Sequence, residues 1–376
     1  MIYFDNGATS RPKPEEVYDA FNYYVREVGT SPGRGSYNLA VQASRMLYKS
    51  RKVVCRFFDC AADTNVVFTK NSTEAMNLFF NGFLNTGDHV LISPFEHNAV
   101  LRPLETLKRA GIITYTVLPI DAFHSPEEHL KKYIKPETKL IAFSLASNLT
   151  GEILFDKEIA KIAHNCGIKV FLDASQGGGK KIISMKDDGI DYLAFTGHKD
   201  LLALPGVGGL VSNDELNFKP LIQGGTGVYG DNYVNPDVYP EAYESGTLNM
   251  PAIWSLKTSI EYIEKNINEI REKEKYLITY LIEKLKENSN VVLYKPDVNR
   301  VATVSFNIKN CDSSNVVEYL GKHDICVRGG IHCAILSHTE LDTVSIGAVR
   351  VSLNHFNTKK EIDTFIKVIE EYEKCI

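Results

Sequence analysis

Between residues 66 and 212 the chain repeats one pattern, and that pattern leaves few folds open. Short apolar runs stand at "VVFT" (66–69), "HVLIS" (89–93), "ITYTVLP" (113–119), "LIAFSLAS" (140–147), "KVFLDAS" (169–175), "YLAFTG" (192–197) and "GGLVS" (208–212). Most are continuous rather than alternating, the mark of strands covered on both faces. Between them, "STEAMNLFFNGFL", "AVLRPLETLKRAG" and "DKEIAKIAHNCG" space their apolar residues as helices do. Strand–helix alternation of this kind predicts an α/β domain with a mostly parallel sheet flanked by helices.

Residues 254–288 then carry Leu256, Ile260, Ile263, Ile267, Ile270, Leu277, Leu281 and Leu285 at helical spacing. Beyond them come "VVLY", "RVATVSFNI", a helix near 313–323, "ICVRGG", "AVRVSLN" and a closing helix near 359–373, which read as a smaller α+β C-terminal domain. The expected division is 1–253 for the large domain and 254–376 for the small one with its connecting helix. About the first 20 residues are expected to pack on the small domain. With 376 residues, 44% of them hydrophobic, the chain can bury a sizeable core.

The net charge of -5 and the lack of a basic block argue against nucleic acid as a partner. No stretch approaches the roughly 20 apolar residues of a membrane span, and "MIYFDNGATSRPKPEE" lacks the pattern of a signal peptide. The seven cysteines, Cys55, Cys60, Cys166, Cys311, Cys326, Cys333 and Cys375, are scattered and form no C-x-x-C. They fit neither a disulfide framework nor a zinc ribbon, and predict a reducing, cytoplasmic compartment. Burial as small hydrophobes is the expected fate of all but Cys333. His332, Cys333 and His338 match no zinc spacing, so no metal is expected.

Ligands of open parallel sheets sit beyond the carboxyl ends of the strands. Here those ends carry Asn71-Ser72-Thr73-Glu74, then Glu96-His97-Asn98, Asn148, Asp173 with Gln176, and Thr196 with His198 and Lys199. Each has a plain structural reading. Asn71 and Glu74 make a capping box, Asp173 an ion pair, His97 a loop histidine, and Lys199 a snorkelling surface lysine. Together they admit another. A helix start rich in hydroxyls takes phosphate, and a buried acid holds a protonated pyridine nitrogen. A partly desolvated lysine has a lowered pKa and condenses with an aldehyde. Pyridoxal 5'-phosphate brings all three groups.

The same residues resemble the class V aminotransferase family of pyridoxal phosphate enzymes, and within it the cysteine desulfurases and selenocysteine lyases. The likeness runs through "YFDNGATS" (3–10), "NSTEAMNL", "EHNA", "SNLTG", "DASQ", "TGHK", "ESGTLN" (244–249), "RGGIHCA" (328–334) and "RVSLNHFNT" (350–358). It implies that Lys199 forms the Schiff base, Asp173 pairs with the pyridinium and Gln176 bonds the ring hydroxyl. His97 would stack on the ring and act in catalysis. Ser72, Thr73, Thr196 and His198 would hold the phosphate, and Thr247 would reach the phosphate of a neighbouring subunit in a homodimer. Asn148, beside the cofactor, and Arg350 would orient the substrate, Arg350 as a fork on its carboxylate. Cys333 would take the sulfur.

The implied reaction converts L-cysteine to L-alanine and leaves a persulfide on Cys333 for a sulfur-acceptor protein, as in iron–sulfur cluster biogenesis. L-selenocysteine is the alternative substrate. An aminotransferase or other lyase of the family would not need Cys333, and a scaffold protein would need none of these residues. Three departures bear on substrate choice. Lys199 is followed by Asp200 in "DLLALPGVGG", the segment before Cys333 reads "RGGIH" without a threonine, and Tyr37 stands where relatives often carry histidine.

Overall fold

The computed structural model describes residues 1–374 apart from Arg34 and Tyr229, so Cys375 lies outside the described residues. The chain opens with β1 (Ile2–Tyr3), α1 (Glu15–Tyr23) and α2 (Asn38–Phe58). The alternating region follows as β2 (Val66–Thr69), α3 (Ser72–Phe83), β3 (His89–Ile92), α4 (Asn98–Arg109) and β4 (Thr114–Val117). The short α5 (Asp121–His124) and α6 (Pro126–His129) lead to β5 (Thr138–Ser144), α7 (Lys157–Asn165), β6 (Lys169–Asp173), β7 (Tyr192–Thr196) and β8 (Gly208–Ser212). All seven expected strands are present. They form one sheet in the order β2-β8-β7-β6-β5-β3-β4, parallel except for the reversed β8.

The continuous apolar runs have a simple cause. Successive strand residues face opposite sides, and both sides are covered. In β6, Val170 and Leu172 enter the core shared with α2, α7 and the following long helix, while Phe171 enters the core under α3 and α4. Phe79 of α3 stacks on Phe171 at 4.7 Å. At the edge, β4 leaves Thr114 and Val117 exposed.

The long helix, α8, runs from Met250 to Lys286, starting four residues earlier than the apolar spacing implied, because Asn249 caps Ala252 ahead of it. Its Ile253, Leu256, Ile260, Ile263 and Ile270 belong to the core of the large sheet. Its Leu277, Ile278, Leu281, Ile282 and Leu285 belong to a second core. That core is shared by β9 (Val291–Tyr294), β10 (Thr303–Ile308), α9 (Ser313–Lys322), β11 (Ile325–Cys326), β12 (Val349–Ser352) and α11 (Lys359–Glu373), while α10 (Ile335–Glu340) lies outside it, with Leu336 against the core under α3 and α4. Strands β12, β10 and β9 form an antiparallel sheet, and β1 pairs in parallel with β11 through Ile2↔Ile325 and Tyr3↔Cys326. The N-terminal segment thus lies on the C-terminal unit, with Phe4 in its core.

The cysteines depart from expectation. Cys55 and Cys60 are disulfide-bonded, Cys166 is exposed, and Cys311 and Cys326 are half-buried. The chain reverses at Asp59, in the left-handed region at φ 51°, and Cys60 N returns to Cys55 O at 2.9 Å. That turn brings the two α-carbons to 4.9 Å, a proximity that spacing alone does not reveal.

Candidate active site

Beyond the carboxyl ends of the parallel strands lies a cavity of about 220 Å³. Five of the strands deliver parts of its wall. The turn after β2 brings Asn71, Ser72 and Thr73, and the loop after β3 brings His97. From β5 and its exit come Ser144, Ala146 and Asn148, from β6 Asp173, Ser175 and Gln176, and from β7 Thr196, His198 and Lys199. Nine of the residues expected from the sequence therefore meet in one place: Ser72, Thr73, His97, Asn148, Asp173, Gln176, Thr196, His198 and Lys199. Ser144, Ala146 and Ser175 were not anticipated. Ser144 closes the "LIAFS" run and Ser175 lies inside "DASQ", and small residues of this kind carry no distinguishing signal.

The helix start behaves as expected of a cap. Asn71 Oδ1 accepts from Glu74 N at 3.0 Å, and Glu74 Oε2 accepts from Lys70 N at 2.7 Å. This leaves the first turn of α3 facing the cavity with its positive dipole end. Thr196 Oγ1 and Asn148 Oδ1 are buried without a partner. Orphaned buried oxygens of this kind need an explanation, and a polar ligand supplies one. The residues present fit pyridoxal 5'-phosphate: hydroxyls at a helix start for the phosphate, a buried acid for the ring nitrogen, and a lysine for the aldehyde.

Electrostatics agree with that fit. Burial lowers the Lys199 pKa and Arg350 and Arg328 add to the effect, while Asp173 and Asp200 oppose it. Burial raises the Asp173 pKa; Ser175, which donates its N–H to Oδ1 at 2.9 Å, and the charge of Lys199 pull it back. Burial, with Lys199 and Arg350 nearby, pushes His97 down to about 4. Its Nδ1 accepts from Ala99 N at 3.0 Å, so the ring is neutral and carries its proton on Nε2. His198 is likewise pushed down to about 4, by burial first and then by Lys199.

Three expected site residues stand outside this cavity. Cys333 is exposed on an adjoining groove of about 340 Å³, which shares Thr73 and His97 with the cavity. His332 and Cys333 both adopt left-handed backbone, at φ 54° and 55°, a strained arrangement typical of functional loops. Two hydrogen bonds hold it: Asn98 N donates to Cys333 O and Asn148 Nδ2 donates to His332 O, each at 2.8 Å. Arg350, on β12, is buried against the lining residue Asn148 and donates to Asn148 O at 2.9 Å. Thr247 lines a separate groove with Lys70 and Glu74. Of the three departures, Asp200 points away from the cavity into an ion cluster with Lys180 and Glu274, and Tyr37 is exposed.

A cavity at the strand ends of a parallel sheet, with a half-buried lysine, a buried acid and a helix start, defines a fold-type I pyridoxal phosphate architecture. The model of the aminotransferase class-V family matches residues 2–365, and the chain belongs to that family. Among curated relatives, a probable cysteine desulfurase of Methanothermobacter thermautotrophicus is 31% identical over 380 residues, covering 98% of this chain and 94% of the relative. A probable cysteine desulfurase of Pyrococcus abyssi is 33% identical, covering 100% and 95%. The solved apo structure of a cysteine desulfurase from Thermococcus onnurineus superposes with a TM-score of 0.90 at 31% identity, covering 100% of this chain and 95% of that one.

Proposed function

We propose that this protein is a pyridoxal phosphate-dependent cysteine desulfurase that takes sulfur from L-cysteine onto Cys333 and releases L-alanine. The observation that carries the reading is the meeting of Lys199, Asp173 and the unpartnered Thr196 Oγ1 in one cavity whose adjoining groove exposes Cys333. Ser72, Thr73, Thr196 and His198 would hold the phosphate, Asp173 the ring nitrogen, Gln176 the ring hydroxyl, and His97 the ring face. The bound cofactor supplies an electron sink for the pair left on the substrate carbon.

The chain's own residues do the rest. Lys199, whose pKa burial lowers, would take and return the α-proton. Arg350 and Asn148 orient the amino acid. The Cys333 thiolate attacks the substrate sulfur, the carbon–sulfur bond breaks with its electron pair left on carbon, and a sulfur–sulfur bond forms on Cys333. Protonation of the carbon yields alanine, and an acceptor thiol or reductant removes the sulfur.

A homodimer goes with this reading, since Thr247 lies outside its own chain's cavity, in a groove with the exposed Leu221 and Ile222. The exposed free thiol of Cys333 is what the reaction needs, and a cytoplasmic setting suits it, whereas the Cys55–Cys60 disulfide runs against a strongly reducing one. A cofactor-binding unit and a C-terminal unit would join within α8.

Purified protein with pyridoxal 5'-phosphate, L-cysteine and a reductant is expected to form sulfide and alanine in equal amounts. Lys199→Ala and Cys333→Ser should each abolish both products. A second reading, an aminotransferase in which Cys333 is idle, draws on the position of Cys333 outside the inner cavity. Full activity of Cys333→Ala with an amino-acid donor would select it. L-selenocysteine assayed in parallel separates the lyase.

A further inference from the structure

Arg350 heads the fully buried side chains by size and is 2% exposed. Its guanidinium is nonetheless tightly held. Nη1 donates to Asn148 O at 2.9 Å, and Nη2 donates to Asp5 Oδ1 at 2.8 Å. One face lies against Gly7, where an added Cβ would sit 3.2 Å from Arg350 Cζ. Nε is buried and has no partner. The second Asp5 oxygen lies 3.4 Å from Arg328 Nε, on a side chain that is about half exposed. Backbone bonds tie the group together, with Arg350 N donating to Arg328 O at 2.7 Å and Ser352 N to Phe4 O at 2.8 Å.

Two guanidiniums and one carboxylate leave this cluster with a single positive charge. Arg350 cannot turn to solvent, and its free Nε–H is a donor without an acceptor. Buried polar groups in folded proteins are paired, and an arginine edge suits a carboxylate.

We infer that Asp5 is a positioning residue for substrate. Its carboxylate fixes the plane of Arg350 and leaves the Nε edge free. It also sets the cluster's charge so that one substrate carboxylate completes it. This rests on the reading that an amino acid binds beside Lys199. Asp5 makes no contact with the reacting atoms and acts through Arg350.

The test compares two ligands of the holoenzyme, L-alanine and ethylamine, which differ by the carboxylate. Binding is followed by the visible absorbance of the enzyme-bound cofactor. In Asp5→Asn, L-alanine should bind about tenfold more weakly or worse, while ethylamine changes less than about twofold, the loss expected when a charged group orienting a fork is removed. KM for L-cysteine should rise by more than kcat falls. Asp5→Glu, which keeps the charge on a longer stem, should give an intermediate loss with L-alanine alone.

L-alanine bound by Asp5→Asn as tightly as by wild type, or more tightly, overturns the inference. Equal weakening of both ligands also overturns it, since that marks a merely structural role. If Asp5→Asn does not fold, an unchanged L-alanine affinity in Asp5→Glu serves as the refuting result. A wild type that binds L-alanine but forms no sulfide from L-cysteine refutes the desulfurase reading and leaves the role of Asp5 standing. A wild type blind to L-alanine refutes both.

Discussion

Glu96 lies fully buried beneath the cavity. Ser144 N donates to its Oε1 at 2.8 Å, Ser93 Oγ donates to the same oxygen, and Ser144 Oγ lies 3.0 Å from Oε2. Among the described residues no cation pairs with it, and Asp173 nearby is a like charge. Burial therefore raises its pKa from 4.5 to about 8, with Asp173 adding to the rise. On unfolding, the carboxyl becomes free to ionise near 4.5. Between these two values the unfolded state binds fewer protons than the folded one, so stability falls as pH rises through the window and levels off beyond each end. The window is about 3.5 pH units wide; at about 1.4 kcal/mol per unit the loss is on the order of 5 kcal/mol.

Glu96→Gln copies the protonated shape. Its carbonyl can accept from Ser144 N and Ser93 Oγ, and its amide can donate to Ser144 Oγ. In urea unfolding of the two proteins, the variant should match wild type near pH 4. It should then gain on wild type by several kcal/mol as pH rises to about 8. Parallel stability profiles for the two proteins across that range would refute the reasoning.

Two further experiments test the framework around the site. Arg51 Nη1 donates to Glu244 Oε1 at 2.7 Å, and both side chains are buried. Arg51→Ala leaves the carboxylate unpaired and should cost about 3–5 kcal/mol in urea unfolding. Pairing it with Glu244→Leu should recover much of that loss, and a single-variant loss below about 1 kcal/mol would contradict the account. Gly151 follows Asn148 at φ +76°, with a Cβ position 2.3 Å from Thr303 O. Gly151→Ala should lower the thermal midpoint by several degrees through at least about 1–3 kcal/mol of strain, and an unchanged midpoint would show that the β10 backbone gives way.

The strands of the large sheet were legible because each is buried on both sides. In "KVFLDAS", the successive residues Val170, Phe171 and Leu172 serve two cores in turn, so all three must be apolar. The cavity was legible for a related reason: parallel strands send their carboxyl ends to one edge, and polar residues following apolar runs collect there. What sequence did not disclose are meetings across distance. Asp5 and Arg350 lie 345 positions apart, and Asn148 reaches His332 across 184. Asp200 gave no local sign that Lys180 and Glu274 would surround it. The Cys55–Cys60 bond depends on a left-handed turn at Asp59, a position with no glycine to announce it.

The pairing of β1 with β11 has a consequence for biosynthesis. Residues lining the cavity all fall between Asn71 and Lys199, whereas the partners of Ile2 and Asp5 are Ile325 and Arg350. On a ribosome adding about 5–20 residues per second, the first strand waits tens of seconds for its neighbour. Translation thus completes the chamber's wall long before it delivers Cys333 or Arg350. On the proposed reading, a nascent chain would have somewhere to seat a cofactor before the residues proposed to grip the substrate carboxylate and carry its sulfur emerge.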